Sequence, residues 1–174
     1  MKSRRLVSPA LPSHLELIGN GLSFTRAMRT TFENALLFDS FTPADTQSIS
    51  TYMHAYRVNA GATIFAEGEP NGHLCVLAEG LVGVYGKDAA GNLNRIKTIQ
   101  SGEIFGKTAL IEEHAYSVSL VAEVRCVLLV MSRENFRRCV DLNPALGMRI
   151  LLKIAQRLNQ RLRQPAEILA EYVP

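Results

Sequence analysis

The side chains of this sequence that can do chemistry are few and scattered. His14, His54, His73 and His114 are its four imidazoles, and no two of them form the HxH pair on a strand that a β-borne metal site would use. Cys75, Cys126 and Cys139 make no CxxC pair, and the first two lie inside apolar runs, where a thiol behaves as a small hydrophobe. There is no G-x-S-x-G elbow and no Cys/His nucleophile pair, and the acids show no acid/base pattern. No catalytic residue and no metal ligand is therefore expected. What remains is charge: Arg149, Lys153, Arg157, Arg161 and Arg163 recur along one helical stretch that holds no acidic partner. Such a face is either solvated, where it suits a helix C-terminus, or meets an acidic partner surface. No aromatic residues are interleaved with it as a platform for single-stranded nucleic acid would require.

The 174 residues, 47% hydrophobic and 20% charged, suffice for one well-buried core and not for two ordinary domains. A net charge of +3 is too small to carry a general affinity for nucleic acid or membrane. No apolar run is long enough for a signal peptide or a membrane span, and the odd number of cysteines fits a reducing compartment. The expectation is a cytoplasmic protein.

The elements that must position any site follow from periodicity. Residues 1–21 are basic near their start, with Lys2, Arg4 and Arg5, carry Pro9 and Pro12, and show no sustained period; they are expected to form an N-terminal tail. From Leu22 to Phe38 the positions Phe24, Met28, Phe32, Leu36 and Leu37 recur at helical spacing. Thr42-Pro43-Ala44-Asp45 is a capping box with proline in the first turn, and predicts a short helix to about His54.

The pattern then changes to short apolar runs at 63–65, 74–77, 81–85, 96–99, 118–121 and 126–130, which read as strands. Nine of the twelve glycines fall between Gly61 and Gly106, where tight turns need positive φ. Asp88 to Asn92 reads as a hairpin loop with Gly91 in the left-handed position. No helix interrupts the strands for a βαβ crossover, so the sheets are antiparallel. Ser132 caps a helix to about Leu142, and Asn143-Pro144 starts a longer one, in which Met148, Leu151, Ala155, Leu158 and Leu162 follow alternating three- and four-residue steps. That seam is the candidate interface of a homodimer, with Ile150, Leu152 and Ile154 widening the apolar side. The fold class is mainly β with flanking helices (α+β): an antiparallel β-roll or jelly roll with N-terminal helices and a long C-terminal helix. Its domain covers 22–164, with the roll at about 56–131, helices at about 132–163 and a tail at 165–174.

Four stretches carry a resemblance to a known family. They are Gly61 to Phe65, Glu67-Gly68-Glu69-Pro70, Leu74 to Val84, and Gly102-Glu103-Ile104-Phe105-Gly106. Over roughly Leu36 to Arg163 the chain resembles the cyclic-nucleotide-binding domain superfamily, the effector domain of catabolite-activator-type regulators and of kinase regulatory subunits. The resemblance implies a phosphate-binding cassette at Phe105 to Ser119, with the candidate pocket at Phe105, Gly106, Lys107, Thr108, Ala109, Leu110, Tyr116, Ser117 and Val118. In the family a short helix there offers its first amides to a cyclic phosphate, a glutamate takes the ribose hydroxyl and an arginine takes the phosphate charge.

Here Lys107 stands at the glutamate position and, without a gap, Tyr116 at the arginine position. A lysine accepts no hydrogen bond and a neutral tyrosine cancels no charge, so the residues argue against conventional cyclic AMP or cyclic GMP binding. The amides of Gly106, Lys107 and Thr108 remain available to an anion. The resemblance thus implies a non-catalytic sensor or regulatory module whose ligand is a cyclic nucleotide or a related anion. The alternatives are a receptor for a different nucleotide or anion, and a ligand-independent module for dimerisation or for a protein partner. A DNA-associated regulator is less favoured, because the eleven residues after Arg163 hold no helix-turn-helix.

Overall fold

In the computed structural model, which describes residues 11–20, 38, 40–88 and 90–171, the apolar runs become the strands of two antiparallel sheets. The chain order is β1 (Glu16–Asn20), helix α1 (Pro43–Ser50), β2 (His54–Val58), β3 (Thr63–Phe65), β4 (His73–Glu79), β5 (Leu81–Lys87), β6 (Leu93–Gln100), β7 (Ile104–Phe105), a 3-10 turn (Lys107–Leu110), β8 (Ser119–Ala122), β9 (Cys126–Ser132), α2 (Arg133–Leu142) and α3 (Pro144–Glu171). One sheet runs β1-β2-β9-β4-β7 and the other β3-β8-β5-β6. All the pairings are antiparallel, as expected for a roll.

The centre of the first sheet, β4 and β9, is buried on both faces. Side chains alternate across a strand. On β4, Leu74 and Val76 join a core shared with the helices, whereas Cys75 and Leu77 join the core inside the roll. On β9, Leu129 and Met131 face the helices, and Cys126, Leu128 and Val130 face the roll. A strand covered on both sides reads as an unbroken apolar run. The helical core is completed by Ile49 of α1, Phe136 and Cys139 of α2, and Leu146, Ile150 and Ile154 of α3.

The capping signals act as the sequence predicts. Asp45 N donates to Thr42 Oγ1 at 3.2 Å and Thr42 N donates to Asp45 Oδ2 at 3.0 Å, closing the box. Asn135 N donates to Ser132 Oγ at 3.1 Å, and Leu146 N to Asn143 Oδ1 at 3.2 Å. Gly91 has φ 84° in the hairpin loop. Helix α1 nevertheless stops at Ser50, short of His54, which opens β2 opposite Val130. Ser50 Oγ and Thr51 Oγ1 donate back to the carbonyls of Gln47 and Ser48, at 2.7 and 2.8 Å, and such local bonds compete with continued helix.

Both expected tails contain structure. Within 1–21, Glu16–Asn20 forms the edge strand β1, held to β2 by the Arg57–Glu16 ion pair at 2.9 Å, and Leu15 is buried in the roll core. A five-residue edge strand with a register shift between Leu17 and Gly19, paired with residues some forty positions away, leaves little local signature. Within 165–174, α3 continues through Pro165 to Glu171. Proline removes one helical bond, but Ala166, Glu167, Leu169 and Ala170 around it are strong helix formers. Residues 1–10, 21–37, 39, 89 and 172–174, and with them the helix expected from Leu22, lie outside the described residues, except that Phe38 is buried in the helical core.

Candidate ligand site

The segment after β7 turns because Gly106 lets it. Phe105 pairs with Cys75 of β4, and Gly106 then takes φ 70° directly over that strand: a Cβ built there would lie 2.1 Å from the carbonyl oxygen of His73. Only glycine fits a left-handed position in such close approach. The chain passes at once into the Lys107–Leu110 turn, whose Ala109 and Leu110 are buried. Of the nine residues expected at the pocket, Phe105, Gly106, Lys107, Thr108, Tyr116, Ser117 and Val118 line one cavity of about 740 Å3. Ala109 and Leu110 do not line it; they anchor the turn from beneath, Leu110 in the helical core.

The anchor on the far side is Arg133, which sequence reasoning did not single out. It is 4% exposed. Its Nε donates to the Ala109 carbonyl at 2.7 Å; Nη2 donates to the carbonyls of Glu112 (2.6 Å) and Asn71 (3.3 Å) and to Asn71 Oδ1 (3.1 Å); and Nη1 meets Glu113 Oε1 at 2.9 Å. One planar fork thus ties the end of the 3-10 turn, the loop behind it and the approach to β4 to the first residue of α2. A signal was present. An arginine in the first turn of a helix opposes the helix dipole, and one placed there needs other partners. Beyond it, Asn71 N donates to the His114 carbonyl, Gly68 N to the Tyr116 carbonyl and Tyr116 N to the Glu69 carbonyl, so that residues 114–116 lie along 68–71.

Tyr116 turns toward the roll interior. Its ring stacks on Phe65 with centroids 4.4 Å apart and planes 14° from parallel, and it packs against the roll core. Burial pushes its phenol well above the ordinary range, with the Cys75 thiol adding in the same direction. Its hydroxyl is buried without a hydrogen-bond partner of good geometry. An unmet buried hydroxyl is destabilising by about 1–3 kcal/mol, so Tyr116→Phe is expected to leave the urea midpoint unchanged or to raise stability by up to about 1 kcal/mol. A loss above that size would show that the hydroxyl is held by a bond.

His73, the other ring stacked with Phe65, at a centroid distance of 6.0 Å, is buried, and desolvation, aided by the Arg133 charge, lowers its pKa to about 4. The folded state therefore binds the proton less readily than the unfolded chain, whose imidazole titrates near 6.5. Stability from the neutral ring is whole above about pH 6.5 and is lost as pH falls toward 4. Urea unfolding at steps across that window should show His73→Phe with a shallower acid loss than the unaltered protein; identical slopes would contradict the assignment.

The opposite wall of the cavity is α3, through Arg157, Leu158 and Gln160, and β6 contributes Lys97. Arg157 Nη1 donates to Gln160 Oε1 at 3.0 Å. The basic residues of α3 therefore do not form one uniform face: Arg149 pairs with Asp45 of α1, Arg157 lines the cavity, and the side chains of Arg161 and Arg163 lie outside the described residues. The expected dimer seam is divided as well. Leu151 and Leu158 pack on the helical core of their own chain, whereas Met148 (58% exposed) and Ala155 face outward with Leu152 (55%). The side chain of Leu162 lies outside the described residues. At 100° per residue Leu152 shares a face with Met148 and Ala155, while Leu151 turns inward. Among the described residues no group of three His, Cys, Asp or Glu comes together around a metal position, and no helix is long and apolar enough to cross a membrane.

Fold and cavity define a class: a β-roll effector-type domain in which a glycine-turned segment and a C-terminal helix face one another across a pocket. The model of the cyclic nucleotide-binding domain matches residues 56–143, about half of the chain, and the chain belongs to that family. It is 27% identical over 119 residues to the cAMP-activated global transcriptional regulator CRP of Pasteurella multocida, covering 68% of this chain and 57% of that one. It is 26% identical over 122 residues to the cAMP-dependent protein kinase regulatory subunit of Aspergillus fumigatus, covering 70% of this chain and 29% of that one. The alignments thus span little more than half, or less, of those relatives' length. A solved cyclic nucleotide-binding domain from Methylobacillus flagellatus shares the fold with a TM-score of 0.77 at 22% identity, over 92% of this chain and 90% of the other.

Proposed function

We propose that the chain is a non-catalytic sensor or regulatory module that takes a nucleotide-type anion in the cavity beside Phe105–Ser119 and passes its occupancy to α3. The observation that carries this reading is that one cavity is walled both by the Gly106–Thr108 turn and by Arg157, Leu158 and Gln160 of α3, so a ligand there would touch the roll and the helix together. Its relatives are named as regulators of transcription and of a kinase, which supports a regulatory role. The three cysteines are buried and unpaired, in keeping with the reducing cytoplasm.

The ligand is not a conventionally bound cyclic AMP or cyclic GMP. Lys107 offers a donor where the family offers an acceptor, and Tyr116 lies stacked on Phe65 with its hydroxyl covered. A charge-assisted hydrogen bond is worth about 1.5–3 kcal/mol, about tenfold or more in affinity. Calorimetric titration should therefore show the Lys107→Glu, Tyr116→Arg double variant binding cyclic AMP at least about tenfold more tightly than the unaltered chain. Equal affinity in the two would overturn this view of the pocket.

A homodimer through α3 is favoured by a specific observation: Met148, Leu152 and Ala155 form an exposed stripe along the helix. Leu152→Asp is expected to shift the species measured by light scattering from dimer to monomer without loss of fold, because its side chain already stands in solvent; an unchanged mass would exclude this stripe as the interface.

A further inference from the structure

We propose that Asn71 is a specificity-determining residue of this cavity: its side-chain Nδ2 donates a hydrogen bond to an acceptor oxygen of the bound nucleotide. The inference deepens the reading above of the cavity as a nucleotide site and rests on it. Asn71 lines the cavity and is only 7% exposed. Its Oδ1 accepts twice, from Arg133 Nη2 at 3.1 Å and from the backbone N of His114 at 3.3 Å. A guanidinium and a backbone N–H can only donate, so they fix which end of the carboxamide faces them. Nδ2 is thereby turned the other way, and among the described residues it has no hydrogen-bond partner. Nor is it sealed off as the Tyr116 hydroxyl is.

A nearly buried amide with unmet N–H groups is costly unless water or a ligand meets them. The two bonds to Oδ1 hold this amide in place, so it can engage a ligand without first losing rotamer freedom. Donation by Arg133 into Oδ1 also polarises the amide and makes its N–H groups better donors. The buried part of the lining, Val84, Ile99, Phe105 and Leu120, is apolar. A pocket of that kind takes its orientation and selectivity from its few fixed polar groups. Nδ2 offers donors only, so it selects an oxygen that carries no proton: a phosphate oxygen or the carbonyl oxygen of a base. A base with an amino group in the same place would set donor against donor, as adenine does where guanine presents a carbonyl. The selection depends on no net charge in the cavity.

The test is calorimetric titration of the full chain and two variants, Asn71→Asp and Asn71→Ala, with cyclic AMP, cyclic GMP, AMP and GMP; urea midpoints report folding, and Asn71→Ser replaces the alanine variant should that one not fold. Aspartate can keep both Oδ1 bonds while losing the donor, and alanine loses the donor without adding charge. Each variant should weaken the tightest-binding probe by at least about tenfold. If the acceptor is a base carbonyl, the guanine nucleotides bind the unaltered chain at least about tenfold more tightly than the adenine ones, and that preference collapses in both variants. If it is a phosphate oxygen, guanine and adenine nucleotides weaken alike. Either pattern supports the assignment. Unchanged affinity in the neutral variant overturns it and leaves the sensor reading standing, because a loss confined to Asn71→Asp is charge repulsion. Silence of the unaltered chain across the panel overturns both.

Discussion

Gly106→Ala is expected to lower the free energy of unfolding by about 3 kcal/mol or more, and to do so at the pocket. A left-handed backbone costs an alanine about 1–2 kcal/mol by itself. The steric term comes on top of it, because the new Cβ would stand 2.1 Å from the His73 carbonyl oxygen, a backbone atom inside β4 that has no side-chain freedom to give way. Relief requires the Phe105–Lys107 segment to lift from β4, which would break the Cys75–Phe105 pairing and open the cavity floor. Gly68→Ala is the control: Gly68 also has positive φ, 85°, but nothing lies within 4 Å of its built Cβ. It should show the conformational penalty alone, about 1–2 kcal/mol. Urea titrations of both variants decide the matter, and a Gly106→Ala loss no larger than that of Gly68→Ala would refute the close approach.

Arg133→Met should be nearly as damaging, about 3 kcal/mol, through lost hydrogen bonds and not through lost charge attraction. Methionine keeps much of the apolar stem but leaves the carbonyls of Ala109, Glu112 and Asn71 without the guanidinium that satisfies them. Each acceptor left unmet in a buried site costs about 1–3 kcal/mol, moderated where water can enter. The ion pair itself is the smaller part: the Glu113 side chain is 49% exposed, so Glu113→Gln should cost less than about 1 kcal/mol. Arg133→Lys should fall between, because an ammonium keeps the charge without the planar fork. Chemical unfolding of the three variants ranks them, and equal losses for Arg133→Met and Glu113→Gln would show that the charge pair, not the fork, holds the turn.

The architecture was legible in the sequence because most of its signals are local. The six strands read from apolar runs are present with boundaries shifted by a few residues, and the caps at Thr42, Ser132 and Asn143 make the bonds that their side chains can reach. The strands that escaped, β1, β2 and β7, are short or lie at an edge, and their pairing depends on partners distant in the chain. The site was legible in outline: seven of the nine residues assigned to the pocket meet at one cavity, while Ala109 and Leu110 turn beneath it.

Periodicity, capping chemistry and the placement of glycine were enough, in the sequence by itself, to specify a roll with flanking helices and a turn at Gly106. All three act within a few residues of backbone. The tertiary structure alone decided what the side chains do across those elements. It turned Leu151 and Leu158 onto their own core and left Leu152 outside, because the rotation of α3 is set by the shared helical core it packs against. It seated Arg133 beneath a turn more than twenty residues earlier, and it brought Lys97, Lys107 and Arg157 to one cavity from three elements. Contacts between residues far apart in the chain depend on how sheets and helices pack, and no local pattern encodes them.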